Sequence, residues 1–102
     1  MAYVSSGFKL LMGGLSGPGN VNVWLLDSTD AIATVNTSNY VSDGYEKGAR
    51  QGDMVLVRTR TTTLSGAVTA INWCWVIDEA TGTDALGVDL TDGLAVTATD
   101  TD

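Results

Sequence analysis

Apolar and polar residues alternate in several stretches of the chain, and a two-residue period marks strands rather than helices. Residues 21–26 (VNVWLL) place Val21, Val23 and Leu25 on one face and Trp24 on the other. Residues 54–60 (MVLVRTR) set Met54, Leu56, Arg58 and Arg60 against Val55, Val57 and Thr59. The run 66–77 (GAVTAINWCWVI) is longer, with Ile71, Trp73, Trp75 and Ile77 opposite Ala70, Asn72, Cys74 and Val76. Its β-branched and aromatic content suits a pleated surface. Residues 94–99 (LAVTAT) alternate as a last strand.

The connections carry different signals. Asp27-Ser28-Thr29-Asp30 is rich in N-cap side chains and predicts a short helical turn over 31–35. Residues 36–52 are turn-rich, with Tyr40, Val41 and Tyr45 as apolar points, and Gly52-Asp53 reads as the turn that feeds the 54–60 strand. Residues 61–65 are few enough for a hairpin loop, and 78–93 are acidic and turn-like. Residues 1–20 hold five of the twelve glycines and the one proline, which oppose a regular element. They also hold seven large apolar anchors, Tyr3, Val4, Phe8, Leu10, Leu11, Met12 and Leu15. This is either an arm that orders on another surface or a tail folded back on its own domain. The expectation is a mainly β protein: a small antiparallel β-sandwich or barrel with one short helical turn. An extended arm (1–20) precedes a single β domain (21–102) with an acidic C-terminal end. Fourteen threonines, mostly in or beside the predicted strands, fit a β protein with polar outer faces.

At 102 residues there is material for one domain, with 44% apolar and 17% charged residues, too apolar for a disordered chain. A core this small leaves room for help from partner subunits. No apolar run approaches the roughly 18 residues of a membrane span. Lys9 interrupts the early apolar stretch and no small-residue cleavage site follows, so the expectation is a soluble, unexported protein without membrane contact.

Charge is unevenly distributed. Residues 1–60 hold all five bases (Lys9, Lys47, Arg50, Arg58, Arg60) and five acids, whereas 61–102 hold seven acids and no base. The chain lacks the basic face that phosphate binding needs, which argues against nucleic acid as a partner. It has no histidine and one cysteine, Cys74. Histidine-based triads, the usual zinc ligand and an internal disulfide are therefore excluded. No phosphate-binding loop or dinucleotide fingerprint is present. The acids and glycines of 78–93 raise calcium, yet the EF-hand spacing is missing and turn aspartates are ordinary turn formers. No catalytic, cofactor or metal site is expected. The aromatic residues Trp24, Tyr40, Trp73 and Trp75 read as core or oligomer interface, although exposed indoles at Trp73 and Trp75 would also suit a sugar platform.

The middle of the chain resembles a pattern in small tailed-bacteriophage and prophage virion proteins. Its elements here are Trp24, Ser28 with Asp30, Ala33-Thr34-Val35, Tyr40, and Gly52-Asp53-Met54-Val55, covering about residues 20–57. The second aromatic of the family's pair is replaced by Val41. The resemblance implies a capsid cement (decoration) protein or a head-fibre component, made in the bacterial cytoplasm and placed on the outer surface of the virion. Its partner would be the major capsid protein, and it would act as a homo-oligomer, a trimer or alternatively a dimer. Docking residues on this reading are Phe8, Leu10, Leu11 and Met12 of the arm with Arg50, Arg58 and Arg60. A receptor- or glycan-binding fibre or spike module is the alternative.

Overall fold

The structure is a computed structural model and describes residues 3–13 and 22–99. Within them, six strands form one mixed sheet. They are β1 (Phe8–Met12), β2 (Val23–Ser28), β3 (Met54–Arg60), β4 (Val68–Thr81), β5 (Gly87–Leu90) and β6 (Leu94–Val96). The order is β1-β2-β3-β4-β5, with β6 also on β4. The mainly β expectation holds. Every pairing is antiparallel except β2 with β3, which run parallel in register from Val23↔Met54 to Ser28↔Thr59. A parallel pair requires a crossover, and residues 29–53 supply it. They contain two single helical turns, α1 (Ile32–Val35) and α2 (Gly44–Lys47). The sheet is open among the described residues, and this crossover rather than a second sheet covers one of its faces.

Residues 8–12 of the expected arm form the edge strand of the sheet, which is the second of the two alternatives, a tail folded back on its own domain; they pair Phe8↔Leu26, Lys9↔Leu25 and Leu10↔Trp24. Residues 14–20 of the expected arm, and the last acids Asp100 and Asp102, lie outside the described residues. The acidic stretch 78–93 is also more regular than expected, because it holds the end of β4, a tight turn and β5. β5 and β6 are one ribbon along β4. Val76 faces Leu90 and Trp73 faces Leu94, so Cys74 and Trp75 oppose three residues, Thr91, Asp92 and Gly93. The extra residue makes a bulge. There the Thr91 hydroxyl accepts the Trp75 N–H (3.0 Å) and the Thr91 N–H bonds the Trp75 carbonyl (3.0 Å).

The crossover is stitched down by local chemistry. Ser28 Oγ accepts the Asp30 N–H (2.9 Å) and turns the chain out of β2, yet no side chain caps α1 itself. α2 ends at Gly48, whose φ of 115° is the left-handed conformation that glycine adopts without strain. Val41 bridges Val88 at the β5 edge, and the Leu86 carbonyl accepts the Tyr45 N–H (2.7 Å). The core lies between crossover and sheet: Trp24, Leu26, Val55, Val57, Cys74, Val76, Val88 and Leu90 from strands, Val35, Val41 and Ala49 from above.

Candidate functional site

Register settles what the other face of the sheet presents, since directly paired residues share a face. One row across the strands reads Met12, Val23, Met54, Trp75. The next reads Lys9, Leu25, Leu56, Trp73, Leu94, and the third Asp27, Arg58, Ile71, Val96. The crossover does not pass over these rows; Asp27 at one end is buried beneath Arg58 and Arg60, and the central Leu25, Leu56 and Trp73 are half-buried. Leu94 is 72% exposed, Met12 61% and Trp75 41%, so a broad apolar surface faces outward.

One end of this face is charged. Arg58 grips Asp27 with two hydrogen bonds, from Nε at 2.9 Å and Nη2 at 3.0 Å, and Arg60 Nε adds a third at 3.0 Å. Arg60 also reaches the Gly66 carbonyl (2.8 Å), tying the β3–β4 loop to the same clamp. Burial alone would raise the Asp27 carboxyl; the bonds and charges of Arg58 and Arg60 outweigh it and hold the group below the usual carboxylate value.

The polar groups on the covered side serve the fold. Asp53, 2% exposed, accepts the Trp24 indole N–H (3.0 Å), the Arg50 N–H (2.9 Å) and the Asn22 N–H (3.2 Å). Tyr40 donates to Asp30 (2.6 Å) and shares a bond with Ser28 (2.8 Å). Burial, then the bond to Asp30, pushes the Tyr40 hydroxyl up to about 12. At the chain's start Tyr3 and Ser5 both donate to Asp43, and Lys47 donates to the carbonyls of Ser5 and Phe8. The Asp43 carboxyl is lowered by these hydroxyls and the Lys47 charge against the opposing effect of burial.

These arrangements redistribute the residues expected to dock. Phe8 is a correction: it is 1% exposed and stacks on Trp24 with ring centroids 4.8 Å apart and planes at 5°. A ring sandwiched there cannot meet a partner. Leu10, Leu11 and Met12 are each more than half exposed along β1. Arg58 and Arg60 both bond Asp27, with side chains 30% and 16% exposed. Arg50 sits apart on the crossover, its guanidinium 3.7 Å from the centre of the Tyr45 ring. The three arginines therefore do not form one patch. Trp24 and Tyr40 belong to the core side, whereas Trp73 and Trp75 stand on the open face.

The residues of the Trp24–Val55 sequence pattern meet one another. Trp24 joins Asp53, and Ser28 joins Asp30 and Tyr40, all within the β2–crossover–β3 unit. The pattern thus describes a framework, and the candidate contact surface lies outside it. Missed from the sequence were Leu94 and Val96 as members of that surface; their pairing with Trp73 and Ile71 follows from the Thr91–Gly93 bulge, which no local pattern announces.

Two depressions mark the surface of the described residues. One, of about 360 Å³, lies between the start of β4 and residues 95–98 and is lined by small and apolar residues such as Val68, Ala70 and Val96. The other, of about 230 Å³, lies by the β4–β5 turn, where Asn39 Oδ1 and Thr81 Oγ1 are buried with no hydrogen-bond partner among the described residues. No three potential metal ligands converge among the described residues. Cys74 is buried, and burial with the nearby Asp92 charge pushes its thiol up to about 11, far from a nucleophile's range. No helix is long and apolar enough to cross a membrane among the described residues. No protein-family model, curated protein or solved structure matches the chain.

Proposed function

We propose that the chain is a structural virion protein, a cement or decoration protein that binds the outside of a tailed-bacteriophage head and ties neighbouring major capsid subunits together. The observation that carries the reading is the division of labour among its residues. The described polar clusters hold the fold, while large apolar side chains on β1 and the open face are left outward. Contiguous apolar surface of this kind marks an interaction site. The phage-like framework supplies the setting. Contact with the shell falls to Leu10, Leu11 and Met12 on the edge strand, with Arg50 as a separate exposed base.

A sugar platform is less well served. Glycan recognition needs hydrogen-bonding groups around a stacked ring, whereas the rows beside Trp73 and Trp75 offer Leu56, Met54 and Leu94.

The test is rebinding to phage heads stripped of the protein, followed by co-sedimentation and by the temperature at which the heads rupture. The wild-type chain is expected to bind and raise that temperature, and a Leu10→Ser, Leu11→Ser, Met12→Ser triple variant to lose most of the binding. No binding by the folded wild type would sink the cement reading. Full binding by the triple variant would remove β1 from it.

A further inference from the structure

We propose that the open face of the sheet is a self-association surface, covered in solution by the same face of a second copy of this chain in a two-fold pair. The inference goes beyond the cement reading and does not rest on it.

Size comes first. The three rows hold four, five and four residues; at roughly 4.8 Å per strand and about 7 Å per row, the flat face measures on the order of 440 Å². Two such faces together hide about 900 Å² of flat area, and side-chain relief brings this to the lower bound of about 1,000 Å² for a specific interface. A docked helix about 10 Å across would cover less than half the width of roughly 24 Å. The occupant that fits is itself a sheet.

Chemistry then selects which sheet. The two rows through Trp73 and Trp75 are apolar apart from Lys9 at the edge, so a matching partner needs an equally apolar, pleated face. The chain carries one. Its net charge of −7 would oppose pairing if spread over this face, but the single carboxylate in the rows, Asp27, is held by Arg58 and Arg60, so the face carries none of the acidic surplus and is slightly basic at its margins. Two like faces laid together form a closed, isologous contact in which each copy meets the other through the same residues. Sheets packed this way lie about 10 Å apart with side chains interdigitating. Leu94, the most exposed large apolar residue among those described, would then enter the layer between them. A two-fold pair is the dimer, rather than the trimer, of the two assemblies that the virion-protein resemblance implies.

Light scattering after size-exclusion chromatography of the full chain, at micromolar and near-millimolar concentration, decides it. The expected mass is twice the 10.6 kDa of one chain. Leu94→Lys should halve the mass at micromolar concentration with an unchanged far-UV spectrum. Leu86→Lys, an exposed apolar position off this face, should leave the pair intact. A wild-type mass of one chain at the higher concentration, a mass of three chains, or a folded Leu94→Lys that keeps the double mass would each overturn the proposal. If Leu94→Lys does not fold, wild-type tryptophan emission on dilution to nanomolar replaces it: a red shift is expected, and an unchanged spectrum overturns the pairing.

Discussion

Val55 and Val57 on β3 are completely buried, whereas Met54 and Leu56, one residue away on the same strand, are only partly so. The same contrast runs across β2 and β4, where Leu26 and Cys74 are sealed beneath the crossover while Leu25 and Trp73 look outward. Both faces are apolar by composition. What separates them is the route of residues 29–53, which pass over one side only. Hydrophobicity therefore makes each face able to be buried, and chain connectivity decides which one the protein buries by itself. Among the described residues, the chain's own crossover finishes one side of the sheet and leaves the other outward-facing.

Substitutions on the two faces should differ accordingly. The largest loss is expected for Trp24→Ala, which removes a ring stacked on Phe8 and leaves Asp53 without its indole donor. Such core truncations cost about 3–5 kcal/mol, read as a lower urea midpoint by circular dichroism. A smaller loss is expected at the charged margin of the open face. Asp27→Asn leaves two guanidinium groups without their carboxylate, and with Arg58 partly solvated the cost is about 1–2 kcal/mol. The pH dependence has a definite sign. A carboxyl whose folded value lies below its unfolded value of about 3.9 stabilises the fold at neutral pH; the contribution fades as pH falls through the folded value. Urea midpoints measured from pH 7 downward should thus drop on the acid side, and Asp27→Asn should flatten that drop; an equally steep acid limb in the variant would remove Asp27 as its source. The smallest effect on a single folded chain is expected for Leu94→Ser, about 0.5 kcal/mol or less. It is to be measured by tryptophan fluorescence at nanomolar concentration, where pairing does not contribute. A loss as large as that of Trp24→Ala would mean that the open face is closed within the chain after all.

Much of the architecture can be read from period-two alternation. β2, β3, β4 and β6 fall where Trp24, Val55, Trp73 and Ala95 alternate with residues of the opposite face, and Gly52-Asp53 does turn the chain into β3. The elements that escape are those without such a pattern. β1 (FKLLM) has three consecutive apolar residues beside glycine, so its place at the sheet edge comes from the stacking of Phe8 on Trp24, a contact between distant residues. β5 (GVDL) is four residues in an acidic turn-rich stretch, and its burial depends on Val41 and Gly44 packing against Val88. The Cβ that any other residue would add at Gly44 lies 2.6 Å from Val88 Cγ2, so this packing requires the glycine. The parallel sense of β2 and β3 is equally hidden, because their crossover has two single turns in place of a long amphipathic helix. For the contact surface, the paired indoles and the exposed Leu10–Met12 segment could be read, while the commitment of Arg58 and Arg60 to Asp27 required the register.

The crossover also has a kinetic consequence. β3 and β4 are joined by a short loop and need only local closure, but β2 cannot take its place beside β3 until residues 29–53 have looped back, a step made slow by its entropy. During that interval both sides of the β3–β4–β5 ribbon are bare. A newly synthesised chain is accordingly at its most adhesive before β2 has docked, and crowding many copies together at that stage would favour tangled aggregates over ordered partners.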